Sequence, residues 1–297
     1  MIINLHSMTG LFVGYRNEFN RGFASAQPQW QQVAEEIPSV TGTNNYPFEG
    51  TFPRLREWVG DRQVKGMRTY YYSLENKEYE GTVEVPRKTI LNDQYGIFKP
   101  KMQQMGYSAG MHPDEMVFGA AAAGATGLCY DGQPFFNGSH PVVVDGVATT
   151  ATNYDNTSVG NLWMLVDTSK PMKPFVYQKR EPYSFVAKTN PADENVFWRN
   201  KFVYGVNGHG VAGYGFWQLA YGSINTLNAT NVDAYVQTMM ARKDDEGHPL
   251  GVWPNALVVG PSNWAAARNL VLKEYLASGE SNPWFKALEI IKSPFLS

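Results

Sequence analysis

One cysteine, Cys129, in 297 residues excludes an internal disulfide framework and any cysteine-rich metal cluster. The net charge is only −2, so no global field draws the chain to nucleic acid, where a basic face is expected. Long hydrophobic runs are missing: the longest uncharged apolar stretch, 116–130, is too short and too glycine-rich to span a bilayer. The opening residues Met-Ile-Ile-Asn-Leu-His-Ser lack the basic and apolar regions of a secretion signal, which predicts an intracellular, reducing site of synthesis. On that expectation the Asn-x-Ser/Thr matches at Asn137, Asn156 and Asn228 are chance. Five histidines, at 6, 112, 140, 209 and 248, are scattered. There is no Gly-x-Ser-x-Gly, no His-Glu-x-x-His and no Gly-Lys-Ser/Thr phosphate loop.

What is present is core-forming material: 43% hydrophobic against 18% charged residues, with aromatics at 14%, in a length that suits two domains or one with large excursions. Leu11, Phe12, Tyr15, Phe19 and Phe23 recur at helical spacing and predict an amphipathic helix over 8–24. From Trp30 the chain runs into Pro38, Gly42, Pro47, Gly50 and Pro53, an extended arm whose aromatics (Trp30, Tyr46, Phe48, Phe52) need another surface to lie on. Residues 56–90 read as a long hairpin with limbs 64–74 and 79–90 about an Glu-Asn-Lys turn. Glu78, Glu80, Thr82 and Glu84 alternate with Tyr79, Gly81, Val83 and Val85. Its apolar face is thin, so it needs outside support.

Residues 93–126 turn helical in two pieces, the second restarting at Met111-His-Pro-Asp-Glu with Pro113 at its first position and acidic residues in its first turn. Between 128 and 222 the chain is mostly β, with strands at 162–167, 175–178, 196–206 and 213–221 and an Asn/Thr-rich loop at 149–161. A helix at 231–242, a strand at 256–259, a helix at 262–277 capped by Ser262, and a last strand at 288–292 complete the pattern. No internal repeat is present.

Two stretches imitate chemistry. Cys129-Tyr-Asp-Gly-Gln-Pro-Phe-Phe-Asn-Gly-Ser-His-Pro-Val-Val-Val-Asp145 holds a thiol, a histidine and two aspartates, but a nucleophilic Cys129 needs a base within reach. Asp131, His140 and Asp145 also lack the short spacings of common ligand sets. A buried thiol at a helix end and a turn histidine are the simpler expectation. Gly208-His-Gly-Val-Ala-Gly213 matches the dinucleotide fingerprint, with Asp233 downstream, but an aromatic strand-like run follows where a helix is required. A glycine-rich turn between paired strands is expected there. Lys170, Lys173, Lys179 and Arg180 form a modest basic patch, expected as solvated strand ends. No catalytic, cofactor or metal residue is assigned.

Phe52-Pro-Arg-Leu-Arg-Glu-Trp-Val-Gly-Asp-Arg62, Val85-Pro-Arg, Asp93-Gln-Tyr-Gly-Ile97, His112-Pro-Asp-Glu-Met-Val-Phe118 and Cys129 to Phe136 through Ser139-His-Pro141 resemble the Mu-like major head subunit (gpT-type) family of tailed-phage capsid proteins. So do Phe175-Val-Tyr-Gln-Lys-Arg180, Tyr204-Gly-Val206, Trp217 to Ser223, Leu257-Val-Val-Gly-Pro261 and Asn282-Pro-Trp284, in the same order along nearly the whole chain.

The resemblance implies an α+β, Hong Kong 97-type capsid fold. Its expected parts are an N-terminal arm (1–55), an extended E-loop hairpin (56–92), a peripheral domain with spine helix and sheet (93–222), and an axial-like domain with C-terminal strand (223–297). It implies a non-enzymatic subunit that assembles with itself into pentamers and hexamers of an icosahedral, DNA-filled head. Scaffold protein, head maturation protease, portal and a decoration protein are the implied partners, with packaged DNA held without sequence readout, no membrane and no cofactor. The place of action is the virion capsid, reached from the host cytoplasm during assembly. Subunit-contact candidates are Trp30, Phe48, Phe52, Arg56, Trp58, Arg62, Lys65, Arg68, Glu75, Lys77, Glu78, Glu80 and Glu84. The alternatives are a nucleotide-binding enzyme using Gly208–Gly213, or another phage ring or tail subunit.

Overall fold

The computed structural model describes residues 5–49, 69–92, 96–144, 146–244, 247–276 and 278–296. Helix α1 (Leu5–Ser25) leads through α2 (Trp30–Val33) into strand β1 (Ala34–Pro38). Strands β2 (Thr43–Glu49), β3 (Thr69–Glu75) and β4 (Lys77–Pro86) follow, then α3 (Arg87–Leu91) and α4 (Phe98–Ala122). A hairpin of β5 (His140–Val144) and β6 (Val147–Ala151) precedes β7 (Tyr154–Asp155) and β8 (Trp163–Val166). Two long strands, β9 (Phe175–Lys188) and β10 (Lys201–Tyr214), are bridged by α5 (Glu194–Arg199). The remainder is β11 (Ala220–Ser223), α6 (Ala229–Met240), β12 (Ala256–Val259), α7 (Trp264–Val271) and β13 (Glu289–Lys292).

Two sheets organise the chain. The first has order β1-β9-β10-β4, and the second β13-β12-β8-β11-β7. Against the first lie α1 and α4, which cross closely because glycines let their backbones meet. A Cβ on Gly106 would fall 2.0 Å from the Phe19 carbonyl oxygen, and one on Gly22 would fall 1.8 Å from that of Gln103. The crossing seals a cluster of Tyr15, Phe19, Val85, Met102, Phe185, Phe202 and Tyr204. A larger cluster joins Trp30, Val117, Phe118, Phe135 and Phe136 to the second sheet and to α6 and α7.

Several expectations are corrected. The start of the N-terminal segment has a surface within its own chain: α1 rests on α4, and Trp30 is buried edge-on against Tyr177, 4.8 Å between centroids. Of the expected hairpin of 64–74 with 79–90, residues 64–68 lie outside the described residues, and the described part of the first limb does not pair with the second. Instead β3 pairs with β2 as a separate two-stranded ribbon, while β4 becomes the edge of the first sheet beside β10. The charge alternation of β4 was a true strand signal, but strand periodicity carries no information on the partner.

The spine is one helix, not two pieces, with Pro113 inside it. Asp114 therefore starts no helix: its carboxylate accepts the backbone N–H groups of Gln29 (2.8 Å) and Trp30 (2.7 Å), capping the short α2 from across the fold. Within 196–206 the first part is α5 and only the rest is strand. The helix expected over 262–277 ends at Val271. The second sheet takes strands from both sides of residue 222, so the division expected there does not separate two structural units.

Candidate assembly surfaces

The two motifs that imitate chemistry are explained by local geometry. Gly208–Gly213 lies inside β10, paired to β9 on one side and, as far as Gly210, to β4 on the other, with register shifts near Asn207, His209 and Gly210. It is a strand, not the expected turn. Its glycines make room for large side chains: a Cβ on Gly208 would strike the Tyr183 ring at 2.3 Å, and one on Gly213 would strike Leu74 at 2.5 Å. No helix N-terminus stands there to hold a pyrophosphate.

The Cys129 loop does fold back on itself, which spacing alone could not reveal. Cys129 Sγ donates to Asp131 Oδ1 at 2.9 Å, and His140 Nδ1 lies 2.6 Å from Asp131 Oδ2. Burial pushes the thiol pKa far up, and the adjacent carboxylate adds to this, so no thiolate nucleophile is prepared. Burial also acts to raise the Asp131 carboxyl, but hydrogen bonds from His140 and Cys129 outweigh it and hold it below the usual carboxylate value. The carboxylate stands between thiol and imidazole, so they form no nucleophile–base pair.

The surfaces point elsewhere. Of the contact candidates, Glu75, Lys77, Glu78, Glu80 and Glu84 are exposed along β3 and β4. Glu84 is already paired with Lys201 of its own chain at 2.6 Å. Among the described residues, Glu75, Lys77, Glu78 and Glu80 have no ion-pair partner. Phe48 falls in β2, but its side chain, and all of Phe52, Arg56, Trp58, Arg62, Lys65 and Arg68, lie outside the described residues. The ribbon is anchored at its base, where Tyr46 Oη donates to Gln178 Oε1 at 2.6 Å and Leu74 packs on Gly213.

A further surface was missed by sequence reasoning. At the tip of the β9–β10 pair, α5 presents Phe197 and Trp198, 68% and 77% exposed, as an edge-to-face pair 4.9 Å apart. The adjacent Phe-Trp dipeptide was readable only as alternating strand residues; the flanking Asp193, Glu194 and Arg199 were the helix signal. The described residues of the chain leave these two adjacent aromatics uncovered.

Comparison with known proteins agrees with a chain built for assembly. Residues 8–296 match the family described as Mu-like prophage major head subunit gpT. The chain is 38% identical over 274 residues to the Mu-like prophage FluMu major head subunit of Haemophilus influenzae, covering 90% of this chain and 89% of that one. It is 36% identical to the major capsid protein of Escherichia phage Mu, with full coverage of both. Among solved structures it resembles the procapsid of bacteriophage JBD30 at a TM-score of 0.87 and 40% identity, covering 99% of this chain and 100% of that one. It also resembles the JBD30 capsid at 0.80 and 29%, with full coverage of both. The chain belongs to the Mu-like prophage major head subunit family and is a Hong Kong 97-type major capsid protein of a tailed phage, a structural component of the virion shell rather than an enzyme.

Proposed function

We propose that copies of this chain close into pentamers and hexamers of an icosahedral head around double-stranded DNA. The observation that carries this reading is the match over full length to a procapsid subunit, TM-score 0.87. Identical chains can form rings through heterologous contacts, and rings that close by symmetry build shells. In this reading the first sheet with α1 and α4 is the peripheral domain, and the second sheet with α6 and α7 is the axial domain.

The extended loop in this reading includes the β2–β3 ribbon. By sequence, 50–68 carries Arg54, Arg56, Arg62, Lys65 and Arg68 against only Glu57 and Asp61. The outward edge of β4 offers Glu78 and Glu80. Opposite charge carried by two segments of the sequence suits contact between different copies. The α5 aromatic pair supplies a second contact with another copy, since its acidic start (Asp193, Glu194) and basic end (Arg199) are complementary head to tail.

A scaffold protein, a maturation protease and a portal act on or join this shell during assembly, and DNA is held without base readout, in keeping with the net charge of −2. One JBD30 capsid is decorated with minor capsid protein trimers, and a decoration protein of that kind is the outer partner proposed here. Expression with and without the phage's scaffold, followed by electron microscopy, tests the reading. Closed polyhedral shells support it, and a monodisperse monomer in both cases overturns it.

A further inference from the structure

An asparagine followed by glycine brings a side-chain amide next to a backbone nitrogen that no neighbouring Cβ shields. The pair occurs twice in this chain, at Asn137-Gly138 and Asn207-Gly208. The fold treats the two differently.

Asn207 lies inside β10, opposite Glu80 of β4 and Ser184 of β9. Pairing on both sides fixes the extended backbone, and Gly208 is buried against the Tyr183 ring. The Asn207 side chain cannot swing round to the Gly208 nitrogen without breaking the ladder. Asn137 and Gly138 instead lie in the loop before β5. Gly138 is exposed, with open space where a Cβ would sit, and its N–H meets no acceptor among the described residues. The peptide group that carries this nitrogen is held in place, because Asn137 O accepts the Asn153 N–H at 3.0 Å. The Asn137 side chain folds back over the same turn. Its Oδ1 accepts the Ser139 N–H at 3.2 Å, and its Nδ2 donates to Gln133 Oε1 at 3.1 Å. One short turn thus gathers a free nucleophile, an amide carbon and a donor on that amide's oxygen.

We propose that Asn137 is a site of self-modification, at which the folded subunit converts this amide to a carboxylate through a succinimide. The Gly138 nitrogen loses its proton to solvent base and attacks Asn137 Cγ. The Ser139 N–H supports the charge that develops on Oδ1. The Cγ–Nδ2 bond breaks and ammonia leaves, closing the succinimide ring. Water then opens the ring at either carbonyl, giving aspartate or isoaspartate. Water is the only reagent consumed, and each conversion adds one negative charge. The isoaspartate product also lengthens the main chain by one carbon, three residues before the buried His140. A shell subunit is not replaced once its particle is built, so the change accumulates with particle age.

The test is peptide mass spectrometry of the purified full-length subunit, aged in mildly alkaline buffer beside an aliquot aged in urea. The peptide holding Asn137 should gain the mass difference between –NH2 and –OH, faster as pH rises, with isoaspartate as a separately eluting product. Its rate in the fold should stay within about tenfold of its rate in urea, whereas Asn207 should react at least about tenfold more slowly in the fold than in urea. An Asn137 rate in the fold more than about tenfold below its urea rate overturns the proposal, as does equal reactivity of Asn137 and Asn207 in the fold. Gly138→Val, which crowds the nucleophile with a branched side chain, should slow the conversion strongly, and an undiminished rate also refutes the route. The wild-type comparison decides even if that variant fails to fold.

Discussion

Asp114 stands in the middle of a long helix with its carboxylate turned onto the backbone of another segment. Its removal leaves two N–H groups, those of Gln29 and Trp30, without their acceptor beneath a buried tryptophan. Asp114→Ala should lower the unfolding free energy of the subunit by about 1–3 kcal/mol, read from its urea midpoint. An unchanged midpoint contradicts the capping role. This partnership was not legible in the sequence. Asp after Pro reads equally well as a helix start, and the groups it serves lie 84 and 85 residues away.

Asp155 offers a pH test at the same scale. Burial acts to raise its carboxyl, but hydrogen bonds from Tyr235, Thr157 and Asn225 outweigh it and hold it below the ordinary value. Tyr235 Oη donates at 2.6 Å and Asn225 Nδ2 at 2.8 Å. A carboxyl depressed in the folded state contributes stability that is complete above its unfolded value and lost as pH falls through the folded one. Melting temperature should thus drop below about pH 4, and Asp155→Asn should flatten that limb. Parallel acid limbs in the two proteins count against the assignment.

At the scale of elements, the α1–α4 crossing rests on backbone contact at glycine. Gly106→Ala forces the helices apart and should cost about 1–3 kcal/mol in denaturant unfolding, although alanine is the better helix former. A variant as stable as the parent sinks this account of the crossing. Deleting residues 1–26 uncovers Phe185, Tyr204 and Met102, so the truncated chain should be insoluble rather than a soluble, assembly-deficient subunit. The α5 pair predicts the opposite pattern. Phe197→Ser with Trp198→Ser should leave subunit unfolding within about 0.5 kcal/mol of the parent, as exposed changes do. Shell yield by sedimentation should fall, and full yield removes α5 from the interfaces.

What was legible at this scale divides cleanly. The helix at 8–24, the strand at 256–259 and the alternation of β4 carry their own periodicity and appear where expected. Pairing does not. The choice of β2 for β3 and of β10 for β4 depends on long-range register, and the glycines of β10 make sense only once Tyr183 and Leu74 lie upon them.

For the whole molecule, composition and motifs yielded only exclusions, and a resemblance spread over nearly the entire length carried the function. The charge on β4 and the aromatics of α5 are exposed in the single chain, and they are the surfaces proposed to meet other copies. The most direct test of the central claim is electron microscopy of the full-length protein expressed with its scaffold. Uniform closed shells, with β4 and α5 of each copy covered by its neighbours in the reconstruction, are the predicted result. A homogeneous small oligomer with both surfaces exposed to solvent would contradict it.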